Sequence, residues 1–105
     1  MRAVDEYTLD ELVREVQALL GGLAIHDGRV QPTPDARTLR WYRTVGLLDP
    51  PVPRGRRVVW TRRHVLQAAA VKRLQAEGWP LAIIRRTLGG ESDAALEARV
   101  ARALA

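Results

Sequence analysis

The sequence contains no cysteine. That excludes a disulfide framework, a thiolate metal site and thiol redox chemistry, and it fits a reducing cytoplasm. It also has no apolar run near the roughly 18 residues that a membrane span requires. Its start, MRAVDEYTLDEL, places acids where a signal peptide would carry an unbroken apolar stretch. A cytoplasmic protein is therefore expected. Gly21-Gly22 and Gly89-Gly90 lack the spacing and the following lysine of a phosphate-binding loop. No nucleophile stands with a base and an orienting acid, and no carboxylate pair falls in a predicted cleft. No catalytic residue is assigned, and the chain is read as not an enzyme. His26 and His64 lie far apart without carboxylates around them, so neither a metal nor a cofactor is expected. His64, at a helix start, reads as a packing or phosphate-contacting residue.

Acids are also scarce where bases are dense. Between Ala36 and Ala76 there are ten Lys or Arg and one acid, Asp49, whereas the rest of the chain has seven bases and eleven acids. A GC-rich coding sequence would explain the preference for Arg over Lys, but not why acids avoid the middle of the chain. A solvated face normally mixes both signs, so a block this one-sided is suited to a polyanion, nucleic acid first. With 105 residues the chain builds one small domain with one modest core.

The pattern predicts mostly helix. Thr8 and Glu11 have capping-box spacing, and Leu9, Leu12, Val13, Val16, Leu19 and Leu20 recur as one apolar stripe, ending at Gly21-Gly22. Residues 23–31 read as two short strands around Asp27-Gly28, with an irregular loop as the alternative; Leu23, Ile25 and Val30 would then lie over the core. Thr33 as N-cap and Pro34 at the first position open a second helix, which ends at Gly46. On it Arg37, Arg40, Trp41 and Thr44 share the outward side. Asp49 to Pro53 cannot be helix, and its prolines oppose strand pairing. Arg54-Gly55 forms a turn tip, and Arg57 to Trp60 a strand leading away from it, a small wing. Thr61 caps a helix with Leu66, Ala70, Val71 and Leu74 inward. Glu77 to Pro80 is a break, Leu81, Ile84 and Leu88 mark a short helix, and residues 92–105 form a helical tail that either docks on the domain or pairs with a second copy. Trp60 and Trp79 are read as core rings and Tyr42 as core, phosphate contact or both.

Arg37-Thr38-Leu39-Arg40-Trp41-Tyr42, followed by Gly46-Leu47-Leu48 and a proline-rich turn, resembles the second helix and exit of the MerR-type winged helix-turn-helix. Tyr7 to Leu12, Val71 to Leu74, Gly78 to Leu81 and Ile84 are similar in order and spacing, so the likeness covers most of residues 7–88. It departs in the long segment 21–32 and in a wing one residue longer before its aromatic, Trp60. Neither a long dimerisation helix nor an effector domain is expected, and the metal-sensing cysteines of some members are absent from these residues.

The resemblance implies a mainly α winged helix-turn-helix of four or five helices with a small β-wing, here with an inserted hairpin at about 22–32. The domain would span residues 1–90 and the tail 91–105. It further implies a sequence-specific regulator of transcription on double-stranded DNA, as a homodimer or with a separate regulatory partner, and hence a nucleoid-associated one. The helix 34–45 would enter the major groove and the wing 52–60 would lie on the backbone. By position, Arg37 and Thr38 approach bases, and Arg40, Trp41 and Tyr42 bases or phosphates. Arg43 on the same helix, Arg54, Arg56 and Arg57 on the wing, and Arg62 and Arg63 at the next helix start complete the expected contact set. Two alternatives stand beside this: a winged helix that binds another regulator, sigma factor or polymerase subunit, and an architectural DNA-binding protein of recombination or packaging.

Overall fold

A computed structural model describes residues 5–27 and 33–104. Strand β1 (Glu6–Tyr7) leads into helix α1 (Leu9–Asp27); then follow α2 (Ala36–Thr44), strands β2 (Val52–Arg54) and β3 (Arg57–Thr61), and helices α3 (Arg62–Ala76), α4 (Leu81–Leu88) and α5 (Asp93–Leu104). The three strands form an antiparallel sheet in the order β1-β3-β2. The architecture is the mainly helical winged helix-turn-helix that the sequence predicts.

The capping box at α1 is present in both directions: Glu11 Oε1 accepts from the Thr8 N–H at 2.9 Å, and Thr8 Oγ1 accepts from the Glu11 N–H at 3.2 Å. Leu12, Val16 and Leu20 are buried on its core face. The helix does not end at Gly21-Gly22, and the first strand of the expected hairpin, residues 23–27, is helical; the second, 28–31, lies outside the described residues. Glycine in a helix interior costs only about 1 kcal/mol relative to alanine. With no proline behind it and a Leu-Ala-Ile run following, the hydrogen-bond ladder continues through the pair.

Helix α3 is the hub. Residues His64 to Val71 are all buried, on every side of the helix. Ala68, Ala69 and Ala70 explain how it accommodates this, since small side chains let neighbouring helices come close. α5 and α1 pack along it, and α4 follows it. The tail docks: Leu96 and Val100 of α5 are buried in the same cluster as Leu12, Val65, Ile84 and Leu88. Ser92 caps α5, its hydroxyl accepting from the Ala95 N–H at 3.1 Å. Trp60 is buried in the core, and Trp79 packs against it half-buried.

Two glycines end helices by the left-handed route. At α2, Gly46 (φ 84°) lets its own N–H reach the Arg43 carbonyl at 3.2 Å and the Leu47 N–H reach that of Tyr42 at 2.8 Å. Gly78 (φ 91°) closes α3 in the same way, on the Gln75 and Leu74 carbonyls. This is the Schellman pattern, which turns Leu47 and Trp79 back toward the core.

The fold makes two predictions. A Cβ at Gly21 would meet nothing within 4 Å, so Gly21→Ala should stabilise the chain by about 0.5–1 kcal/mol in urea unfolding; a loss of stability would contradict a helix that continues through this position. His64 is buried, and burial pushes its imidazole below the ordinary pKa despite the Pro50 carbonyl and the Asp49 charge that oppose the shift. The unfolded chain therefore binds the proton more readily, and stability should fall as pH drops below about 6.5. His64→Gln should lower the unfolding midpoint at neutral pH but flatten its decline between about pH 7.5 and 5.5.

Candidate nucleic-acid interface

Helix α2 is capped by Asp35, whose carboxylate accepts from the Thr38 N–H at 2.8 Å; that bond, joined by the nearby Arg37, holds the Asp35 carboxyl below its usual range. The cap thus sits two residues after the predicted Thr33, because an aspartate at this distance satisfies the amide directly. Leu39 and Tyr42 face the core at 0% and 2% exposure. The Tyr42 hydroxyl donates to Gln75 Oε1 of α3 at 2.9 Å, and burial pushes the phenol up to about 12. Tyr42 was read as a core ring, a base or phosphate contact, or both; its ring is buried and its hydroxyl is bonded to Gln75, which is the core reading.

With Leu39 and Tyr42 anchored, the helical period turns Arg37, Arg40, Trp41 and Thr44 to the opposite side, and all four are exposed. Arg43 is exposed at the margin of this face, and Thr38 is half-buried. Trp41 keeps 45% of its surface in solvent, a large value for an indole. Beside it lies a shallow groove of about 240 Å³ between α2 and α4, lined by Val45, Leu47, Leu81, Ala82 and Arg85.

The wing is a two-residue hairpin. Arg54 pairs with Arg57 across Gly55-Arg56, so the tip is one residue later than expected. Gly55 has φ 63° and Arg56 a negative φ, as in the type II′ turns that suit strand twist. Pro53 lies inside β2, opposite Val58, which the sequence reading had disfavoured. β2 is an edge strand and this pair is one step from the hydrogen-bonded pair at the turn, so the missing N–H faces away from the ladder. Arg54, Arg56, Arg57 and Val58 are exposed.

The first turns of α3 fix the wing relative to α2. The Asp49 N–H donates to Gln67 Oε1 at 3.1 Å. His64 Nδ1 accepts from the Thr61 N–H at 2.9 Å, which leaves Nε2 as the donor to the Pro50 carbonyl at 3.1 Å. His64 also meets the Trp60 ring edge-on at 5.0 Å between centroids. It is a packing residue, not a phosphate contact. Arg63, expected on the DNA face, is a clamp instead: Nε donates to Asp49 Oδ2 and Nη1 to Asp93 Oδ1, both at 2.7 Å. Burial disfavours the Asp49 charge, but the bonds from Arg63 and Gln67 outweigh it and hold the carboxyl below its usual range. Arg62, the neighbour, is exposed.

An open depression of about 990 Å³ lies between the wing, the start of α1 and α2, and brings together Arg40, Arg54 and Arg57 with Glu6, Tyr7 and Val58 among its lining. Arg37, Trp41 and Arg43 do not line it. Glu6 was missed from the sequence: it bonds Arg54 at 2.7 Å, yet it sits in a two-residue strand that no periodicity reveals. Among the described residues there is no group of His, Cys, Asp or Glu placed to hold a metal ion, and no helix is long and apolar enough to cross a membrane.

Residues 33–91, which contain α2, the wing, α3 and α4, match the family described as MerR HTH family regulatory protein. No curated protein and no solved structure gives a significant match. The match covers more than half of the chain and coincides with the exposed arginine face, the arginine-tipped hairpin and the helices that hold them. The chain belongs to the MerR HTH regulatory family.

Proposed function

We propose that the protein is a sequence-specific DNA-binding regulator of transcription that places α2 in the major groove and the β2–β3 wing on the adjacent backbone. The observation that carries this reading is the two-sided α2, with Leu39 and Tyr42 locked inward and Arg37, Arg40 and Trp41 exposed. An arginine fork reads guanine by two parallel hydrogen bonds, and an indole edge meets bases or the sugar backbone. The proposed contact set is Arg37, Thr38, Arg40, Trp41 and Arg43 on α2, Arg54, Arg56 and Arg57 on the wing, and Arg62 beside it.

A helix of nine residues spans one short half-site. Reading a unique site in a genome therefore calls for a second copy or a partner protein, and the protein acts as a homodimer or with such a partner, in the cytoplasm with the nucleoid. The reading as a module for an acidic partner protein loses one of its motives, since residues 23–27 are helix and not part of a projecting hairpin. No catalytic role, metal or cofactor is proposed.

The experiment is selection of duplexes from a random pool, followed by titration of the winning sequence at several salt concentrations. An inverted repeat would support the dimer. Arg37→Ala should lose about 1–3 kcal/mol of discrimination at one base position. Arg56→Ala should weaken binding to all sequences alike and reduce the slope of log Kobs against log salt by about one. If both variants bind like the wild type, the roles assigned to α2 and the wing are wrong.

A further inference from the structure

We infer that Glu6, which lies outside the basic elements, is a positioning residue that holds the Arg54 guanidinium ready for a backbone phosphate; this rests on the DNA-binding reading above. Arg54 is tethered at two points. Its Nε donates to Glu6 Oε2 at 2.7 Å, and its Nη1 donates to the Pro53 carbonyl at 3.0 Å. A guanidinium has five N–H groups in a rigid plane. Two are used here, and among the described residues the other three, all on the Nη edge, have no partner.

The two partners differ in how far they reach water. The Glu6 side chain is 19% exposed, and that of Arg54 is 52% exposed. The carboxylate is thus the fixed end of the pair, and the arginine is the end that meets solvent. Arg54, Arg40 and Arg57 line the same depression between α2 and the wing. A phosphate entering there meets an arginine whose plane is already set, so less rotamer freedom is lost on binding. An exposed ion pair of this kind contributes little to stability, so its consequence is orientation.

Glu6 also brings a negative charge near the proposed phosphate. Orientation and repulsion therefore act in opposite directions, and substitutions separate them. Glu6→Ala removes the tether and the charge. Glu6→Gln removes the charge but keeps an oxygen that accepts from Nε.

The test uses the full chain, a duplex selected from the random pool, and dissociation constants over a range of KCl for the wild type, Glu6→Ala, Glu6→Gln, Arg54→Ala and the Glu6→Ala/Arg54→Ala double variant. Thermal melts of each variant check that the fold is kept. Glu6→Ala and Arg54→Ala should each weaken binding severalfold and lower the salt slope by about 0.9, the share of one phosphate contact. The double variant should lose nothing more, and Glu6→Gln should keep the wild-type slope and bind at least as tightly. Tighter binding or an unchanged slope for Glu6→Ala, or losses that add in the double variant, would overturn the inference while leaving DNA binding intact. A wild-type chain that binds no duplex would sink the proposed function, and this inference with it.

Discussion

The hydrogen bond from the Tyr42 hydroxyl to Gln75 fixes which way α2 faces. It joins the Leu39 side chain, which is fully buried, in anchoring one side of a nine-residue helix to the core. A helix held on one side has no choice about the other. With 3.6 residues per turn, the positions about half a turn from Leu39 and Tyr42 must point away from the core, and these are the positions that carry Arg37, Arg40, Trp41 and Thr44. Unlocking that anchor would let the helix roll, and the arginines would turn together away from their outward direction.

The same hub governs the wing. The proline-rich link between α2 and β2 has few amides of its own to pair, yet its polar groups are met by residues in the first two turns of α3: Arg63 takes the Asp49 carboxylate, His64 the Pro50 carbonyl and Gln67 the Asp49 amide. Buried polar groups left unpaired are costly, so these three contacts set the path of the link with little freedom. Arg63 goes on to Asp93 and so ties the start of α5 into the same network. The distance between α2 and the hairpin is therefore a property of α3, and the depression between them follows from it.

Much of this was legible in the sequence because it depends on local chemistry. The Thr8–Glu11 box, the inward run of Leu66, Ala70, Val71 and Leu74, the stops at Gly46 and Gly78, and the outward set on α2 all follow from spacing and from the special conformations of glycine. What was not legible depends on energies that compete over short distances or on partners far along the chain. Gly21-Gly22 is a stop signal by type, but two modest penalties did not outweigh a helix that continued past them. Pro53 is tolerated because its strand is an edge, a fact that only topology supplies. Tyr42 entered the contact set by its place in the family motif and Arg63 by its place at a basic helix start, and their bonds to Gln75, Asp49 and Asp93 depend on partners that spacing along the chain does not show. Glu6 gave no signal, since its partner Arg54 is 48 residues away.

The central claim is that one side of α2 and the wing form the DNA-facing surface, while α1 and α5 serve the core. Amide chemical shifts of the isotope-labelled chain, followed during titration with a selected duplex, test it directly. The account predicts that the largest changes cluster at residues 36–44 and 52–62 and leave α5 nearly unmoved. Changes centred on α5 or on the exposed face of α1, with α2 silent, would contradict it.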